Sequence, residues 1–328
     1  MRRRDFIAGI AGSVAAWPLA ARGERAERKV GVLMPAVEND AESRARIAAF
    51  RKGLREQGWA EGRNLRIEIR WALDDPNLMR RHAAELVAIA PDVIVALSPP
   101  GLAAVQRETR SIPTVFVQVA DPVGGGFVAS LAKPGGNITG FSAFEDTISA
   151  KWLELIKEVA PHVARVAILR NPATASSSEF LKGAMDKIAP LLGLELTPLG
   201  VSDIAEIERA FDALTGSSIS GLVVMPDPLT LVHRERIVAL AADRRMTAVY
   251  PYRYFAEVGG LVSYGPSSVD MWRRSAVYVD RILKGVKPAD LPVQNPAKFE
   301  LVLNVKTAKA LGIEPPLSLL MRIDDVIE

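Results

Sequence analysis

Two turns fixed by proline carry the residues best suited to chemistry. Ser98-Pro99-Pro100-Gly101 follows the apolar run Val93-Ile-Val-Ala-Leu97 and opens a helical stretch. A hydroxyl and free backbone N–H groups at a helix start attract a carboxylate or phosphate, because the first N–H groups lack intrahelical acceptors and the dipole is positive there. The same serine could act simply as a helix cap. Asp227 stands between Pro226 and Pro228 at the end of the apolar run 221–225. There its carboxylate could meet a cationic group or only shape the turn, for which Pro-Asp-Pro is good chemistry. Asp121, before Pro122, has the same two readings. Asn171 follows the strand-like run 165–169, and Tyr250, Tyr252, Tyr254 and Tyr264 could wall a pocket or pack a core.

The signals for catalysis fail one by one. His82, His162 and His233 lie on or beside polar helical faces, and none has metal-ligand spacing to another histidine. The absence of cysteine removes thiolate nucleophiles, thiolate metal sites and disulfides together. Gly140-Phe-Ser142-Ala-Phe144 lacks the closing glycine of a nucleophile elbow. Gly124-Gly125-Gly126-Phe127-Val128-Ala129 matches a loose dinucleotide pattern but does not sit in a first β-α turn. No P-loop is present. Neither an enzyme nor a cofactor site is expected.

The elements that must position these residues follow a clear rhythm. From Lys29 onward, short β-branched runs alternate with amphipathic helical stretches, which implies parallel sheets covered by helices on both faces. In such sheets ligands bind beyond the carboxyl ends of the strands. Those ends fall at residues 35–39, 98–101, 118–121, 171–173, 226–227 and 250–252. The run 121–137 carries Pro122, Gly124, Gly125, Gly126, Pro134, Gly135 and Gly136, too many breakers for one regular element. It reads as the crossing from a first α/β lobe to a second, and 259–265 reads as another crossing.

The chain has 328 residues, with 41 Lys+Arg against 38 Asp+Glu. Its start reads as an address. Arg2, Arg3 and Arg4 precede an uncharged, mostly apolar run to Ala21, and small residues at Ala21 and Gly23 suit signal peptidase. Arg3-Arg4-Asp5-Phe6-Ile7 resembles a twin-arginine export signal. The apolar run is shorter than the roughly 20 residues of a spanning helix. Cleavage after residue 23 removes Arg2, Arg3, Arg4, Arg22 and Asp5, leaving 37 charges of each sign. A near-neutral mature chain without a basic cluster is not a nucleic-acid binder. It is expected to be a soluble monomer in the periplasm, with no membrane insertion once the signal is removed.

Several motifs together resemble the bacterial ABC-transporter substrate-binding proteins of the tryptophan/tyrosine type. They are Phe50-Arg-Lys-Gly-Leu54 with Gly58-Trp-Ala-Glu-Gly-Arg-Asn64, and Asp121-Pro122-Val123 with Pro134-Gly-Gly-Asn-Ile-Thr-Gly140. Gly259-Gly-Leu-Val-Ser-Tyr-Gly265 and the tail from Ile282 through Lys298-Phe-Glu-Leu-Val-Leu-Asn304 to Asp325-Val-Ile-Glu328 complete them. The resemblance implies a periplasmic-binding-protein type I fold: two Rossmann-like, doubly wound lobes joined by a three-segment hinge. It divides the chain into lobe 1 (28–143 and 265–288) and lobe 2 (144–264 and 289–328). It also implies a small solute, an amino acid or related carboxylate, held between the lobes and delivered to an inner-membrane ABC permease. Ser98, Pro99, Gly101, Asp121, Asn171, Asp227, Tyr250 and Tyr264 are the expected ligand contacts. A ligand-sensing partner of a membrane signalling protein, or an exported α/β enzyme, are the alternatives. Unlike lipoprotein members, this chain has no cysteine for lipid attachment.

Overall fold

The continuous apolar runs become central strands buried on both faces, as parallel sheets sandwiched by helices require. The computed structural model describes residues 27–145 and 147–328, so the expected export signal lies outside the described residues. In the first lobe, β1 (Arg28–Met34), α1 (Ala41–Glu56), β2 (Leu65–Trp71) and α2 (Pro76–Ala88) come first. β3 (Val93–Leu97), α3 (Ser98–Glu108), β4 (Thr114–Val119) and β5 (Ile138–Ser142) follow. The second lobe opens with α4 (Ile148–Val159), β6 (Arg165–Arg170), α5 (Ala175–Ile188) and β7 (Glu195–Gly200). It continues through α6 (Ile204–Ala213), β8 (Gly221–Val224), α7 (Pro228–Val232) and α8 (Arg234–Asp243). Then come β9 (Thr247–Tyr250), α9 (Arg253–Glu257) and β10 (Val262–Pro266). α10 (Ser268–Leu283) returns to the first lobe, and β11 (Phe299–Asn304), α11 (Val305–Leu311), α12 (Leu317–Leu320) and β12 (Asp325–Ile327) end the chain in the second.

Among the described residues one sheet has the order β2-β1-β3-β4-β5 and the other β12-β11-β10-β9-β8-β6-β7. Every pairing is parallel except β10 with β11. That exception follows from the path. β10 leads the chain out to the first lobe and β11 brings it back alongside, so the neighbours run in opposite directions. The first sheet reverses its winding between β1 and β3, the second between β6 and β8. Ligand crevices form at such switch points.

α10 is the piece of chain that completes the first lobe. It packs along α1, with the Phe50 and Trp272 rings edge to face at 5.9 Å. Gly53 allows this approach, because a Cβ there would lie 2.5 Å from the Arg273 carbonyl oxygen. Trp59 follows in the next turn, buried, with its Nε1 donating to Asp280 at 2.8 Å. The two helices thus explain why Phe50, Gly53, Leu54 and Trp59 occur at that spacing.

The hinge lies elsewhere than the glycine content suggests. Residues 121–137 do not cross between lobes. They fold as a loop over the first sheet, with Val128 buried in its core and Gln106 Nε2 donating to the Gly126 carbonyl at 3.2 Å. β5 then pairs parallel with β4 in the same sheet. Likewise 259–265 leads into β10 of the second sheet. The crossings themselves are short, and their described residues are 143–145 with 147, 267 and 295–298. They lie side by side, with Asn295 Nδ2 donating to Glu145 at 3.3 Å and the Ser267 N–H to the Lys298 carbonyl at 2.9 Å. Residues 289–294 stay with the first lobe, although the sequence division gave them to the second. Leu291 and Val293 are buried in its cores, and Gln294 bridges Phe141.

Candidate ligand-binding site

The carboxyl ends of both sheets face one cleft. The first lobe supplies Pro35 after β1, Ser98 and Pro99 after β3, Gln118 and Ala120 at the end of β4, and Arg46 from α1. The second supplies Pro226, Asp227, Pro228, Leu231, Tyr252 and Tyr254, with Phe144 from the hinge.

On the first-lobe wall, Ser98 and Gln118 both hold positive φ, 67° and 61°. Non-glycine residues rarely sit there, and such strain costs about 1–3 kcal/mol each when held by the surroundings. Ser98 does not cap its helix. The N-cap position falls on Leu97 without a side-chain bond, and the Ser98 hydroxyl is buried with no hydrogen-bond partner among the described residues. Gln118 is integrated differently. Its Oε1 accepts from the Ser268 hydroxyl at 3.3 Å.

Arg46 escaped sequence reasoning altogether. It is 1% exposed. Its Nε–H is shared between Glu42 Oε1 at 2.9 Å and Ser268 Oγ at 2.7 Å, while its Nη1 is buried without an acceptor among the described residues. Burial works against the charge, but Glu42 and the hydroxyls of Tyr254 and Tyr252 outweigh it, so the guanidinium is held even more firmly protonated than usual. Only the register of α1, which turns Arg46 inward beside Ile47 and Phe50, could have flagged it.

On the second-lobe wall, Asp227 is engaged in its own fold. It is the N-cap of α7, accepting from the Leu229 N–H at 2.9 Å, with Thr230 completing a capping box. Asn171 Nδ2 donates to the same oxygen at 3.1 Å. The turn reading of Asp227 is therefore realised, and a carboxylate with about four lone-pair directions can cap a helix and meet a ligand together. Beside it, Tyr252 and Tyr254 stack at 5.2 Å, and Phe144 packs against Tyr252 at 5.5 Å. Burial pushes the hydroxyls of Tyr252 and Tyr254 well above the usual tyrosine range, so both are neutral polar groups.

Of the expected contacts, Ser98, Pro99 and Asp227 meet in this cleft, with Asn171 one hydrogen bond behind Asp227. The others lie off the wall. Gly101 packs beneath, against Pro35. Asp121 tightens its own turn by accepting from the Gly124 N–H at 2.8 Å. Tyr250 is core, stacked on Phe255 at 5.0 Å. Tyr264 stacks on Phe299 at 6.0 Å, and its carbonyl accepts from Trp152 Nε1 at 2.7 Å. Among the described residues no group of His, Asp and Glu could hold a metal ion.

The cleft rim is bridged. Arg234, at the start of α8, pairs with Asp40, the N-cap of α1, and both side chains are 11% exposed. His233 Nε2 lies 3.8 Å from Asp74. Arg46 and Arg234 sit over the Tyr254 ring, 5.4 and 5.8 Å from its centre. Burial raises the Asp40 pKa, but the Ser43 N–H and the Arg234 guanidinium outweigh it and hold the carboxyl below its ordinary value.

Residues 29–327 match the family model for ABC transporter substrate binding proteins. The chain belongs to this family. A tyrosine-binding protein of Clostridioides difficile (strain R20291) is 28% identical over 266 residues, 81% of this chain and 76% of that one. Among solved structures, a domain from Streptococcus pneumoniae in complex with L-Trp superposes with a TM-score of 0.86 at 25% identity, covering 92% of this chain and all of that one. The ligand-free, open structure of CD0873 from Clostridium difficile gives 0.67 at 26% identity, covering 92% and 99%. At nearly equal identity, the lobe arrangement of this family member is closer to the L-Trp complex than to the open structure. That agrees with the bridged rim. Among the described residues no helix is long and apolar enough to cross a membrane.

Proposed function

We propose that this protein binds an amino-acid-like solute, aromatic by preference, between its lobes and delivers it to an ABC permease in the inner membrane. The observation that carries the reading is the first-lobe wall. Two strained residues and an unpartnered buried hydroxyl face aromatic rings across a closed cleft. Buried polar groups are nearly always hydrogen-bonded, so one left unpaired beside a cleft supports a site that a ligand completes.

An amino acid is a zwitterion, and burying it requires a partner for each charge. Ser98 suits the carboxylate and Asp227 the ammonium. They stand on opposite lobes, so only the closed state serves both ends, and periplasmic binding proteins are known for such hinge closure. The tyrosine- and tryptophan-binding relatives support an aromatic side chain against Phe144, Tyr252 and Tyr254. Membership of the substrate-binding family supports a receptor role for the protein. The twin-arginine-like start fits a mature chain beginning near Glu24, exported folded and working as a monomer in the periplasm.

A thermal-shift panel of amino acids, sugars and short carboxylates tests the reading. L-Tyr, L-Trp or a related amino acid should raise the melting temperature, whereas a response to sugars alone would remove the amino-acid assignment. For export, Lys at positions 3 and 4 should block secretion. Normal secretion of that variant would point to the general route.

A further inference from the structure

We infer that Arg46 is the charged seat for the solute's acidic group, so that the first lobe captures the anion before the second closes. This rests on the cleft reading above and adds a residue and an order of events to it.

The guanidinium has five N–H donors in a fixed plane. Its Nε edge is clamped by Glu42 at 2.9 Å and Ser268 at 2.7 Å, which fixes the direction of the rest of the fork. Nη1 is then left buried and without an acceptor among the described residues, in a side chain that lines the cavity. The Ser98 hydroxyl, on the same wall, is in the same condition. Two orphaned donors on one wall call for one acceptor, and a carboxylate offers it in a form matched to an arginine. A sugar hydroxyl would leave the positive charge without a counter-charge at that edge. A phosphate would bring a second negative charge towards Asp227 on the facing wall.

Both donors belong to the first lobe, since α1 carries Arg46 and the β3–α3 junction carries Ser98. Neither depends on closure for its position. Capture of the acid on the open first lobe is therefore geometrically complete, and Asp227 arrives only as the lobes meet. The Tyr254 ring, from the second lobe, then covers Arg46 on its outer side, 5.4 Å from the guanidinium carbon. Water is excluded from the seat when that ring docks.

Calorimetry on the mature protein tests this with L-tryptophan, L-tyrosine and their amides, which keep the amine and ring but lose the negative charge. On the parent protein each amide should bind at least 100-fold more weakly than its acid, because the amide cannot offer the Nη1 donors a charged acceptor. Arg46→Gln should weaken the acid by a similar factor while narrowing the gap between acid and amide to less than tenfold. Arg46→Lys keeps the charge without the planar fork and should fall between. Should Arg46→Gln fail to fold, the acid-to-amide ratio on the unaltered protein decides alone. An amide binding within threefold of its acid, or a folded Arg46→Gln binding the acid like the parent, overturns the role of Arg46 and leaves the amino-acid reading standing. Failure of both acids to bind, with a sugar binding instead, overturns both.

Discussion

The two walls of the cleft are built on opposite principles. On the first lobe, Ser98 and Gln118 hold strained backbone, and Ser98 and Arg46 keep buried donors without acceptors among the described residues. On the second, Asp227 is satisfied by a capping box and by Asn171. The first wall is incomplete until something enters. The second is complete without a ligand and gains a further contact on closing. Strain and unmet hydrogen bonds on the first wall lie where binding can release them, which is one way a receptor couples occupancy to shape.

Variants at Asp227 should break the comparison most sharply. Asp227→Ala is expected to reduce solute affinity by about 2–5 kcal/mol by stranding the ammonium. It should also lower ligand-free stability by about 1 kcal/mol through loss of the cap. Asp227→Asn keeps a good capping side chain and removes only the charge, so ligand-free melting should stay near the parent while affinity still falls. Calorimetry showing Asp227→Asn binding like the parent would confine this residue to the turn.

Saturation with solute comes next in size. At about 100 times the dissociation constant, the folded state gains about 2.7 kcal/mol. For an affinity near ~1 μM, or about −8 kcal/mol, ~0.1 mM solute should move the melt by several degrees. X-ray scattering should then report a smaller radius of gyration than for the free protein. Binding without any change in the profile would show that the bridged rim keeps the lobes closed unaided.

Ser98 predicts effects of opposite sign on the two properties. Ser98→Gly relieves the backbone strain and removes the orphaned hydroxyl, so ligand-free stability should rise by about 0.5–1 kcal/mol. Affinity should drop by about 1 kcal/mol with the lost hydrogen bond, since the neighbouring backbone donors remain. A variant less stable than the parent would show that the wall is structural and not poised for a ligand.

The smallest effect belongs to the rim. Asp40 is held below its ordinary value in the folded protein, so its pair with Arg234 contributes fully above the unfolded value of about 3.9 and is lost as pH falls through the lower folded value. Lobe closure by scattering should thus be insensitive to this pair from neutral pH to about pH 5. Asp40→Asn, which keeps the cap, should show a slightly wider profile across that range.

The fold was legible because its signals are local and repeated. Runs such as Val93 to Leu97 are apolar at every position, and a strand covered on both faces demands that. Strand ends follow from strands, so Pro35, Ser98, Gln118, Asp227 and Tyr252, which line the cleft, fall in stretches that sequence alone marks as strand ends. The hinge was not legible. Breakers at 121–137 mark a turn-rich path but not its destination, which is set by Val128 burying in the first lobe and by the Leu131 carbonyl accepting from the Val293 N–H. Arg46 was invisible for a related reason. Whether a helical arginine faces water or the interior depends on the partner helix, and α10 lies more than 200 residues away in sequence. Tyr250 and Tyr264 show the converse, since composition cannot tell a ring on the wall from one stacked behind it.

The return of α10 to the first lobe has a consequence for biogenesis. During synthesis the first sheet is finished once β5 emerges, yet the face that α10 covers stays bare until the helix is made, after the whole run from α4 to β10. Phe50, Leu54 and Trp59 wait exposed during that interval. The first domain cannot therefore mature as the nascent chain lengthens from its amino end, as separate domains commonly do. Long-range closure of this kind slows folding, and an early intermediate with an uncovered apolar face is a natural client for a chaperone.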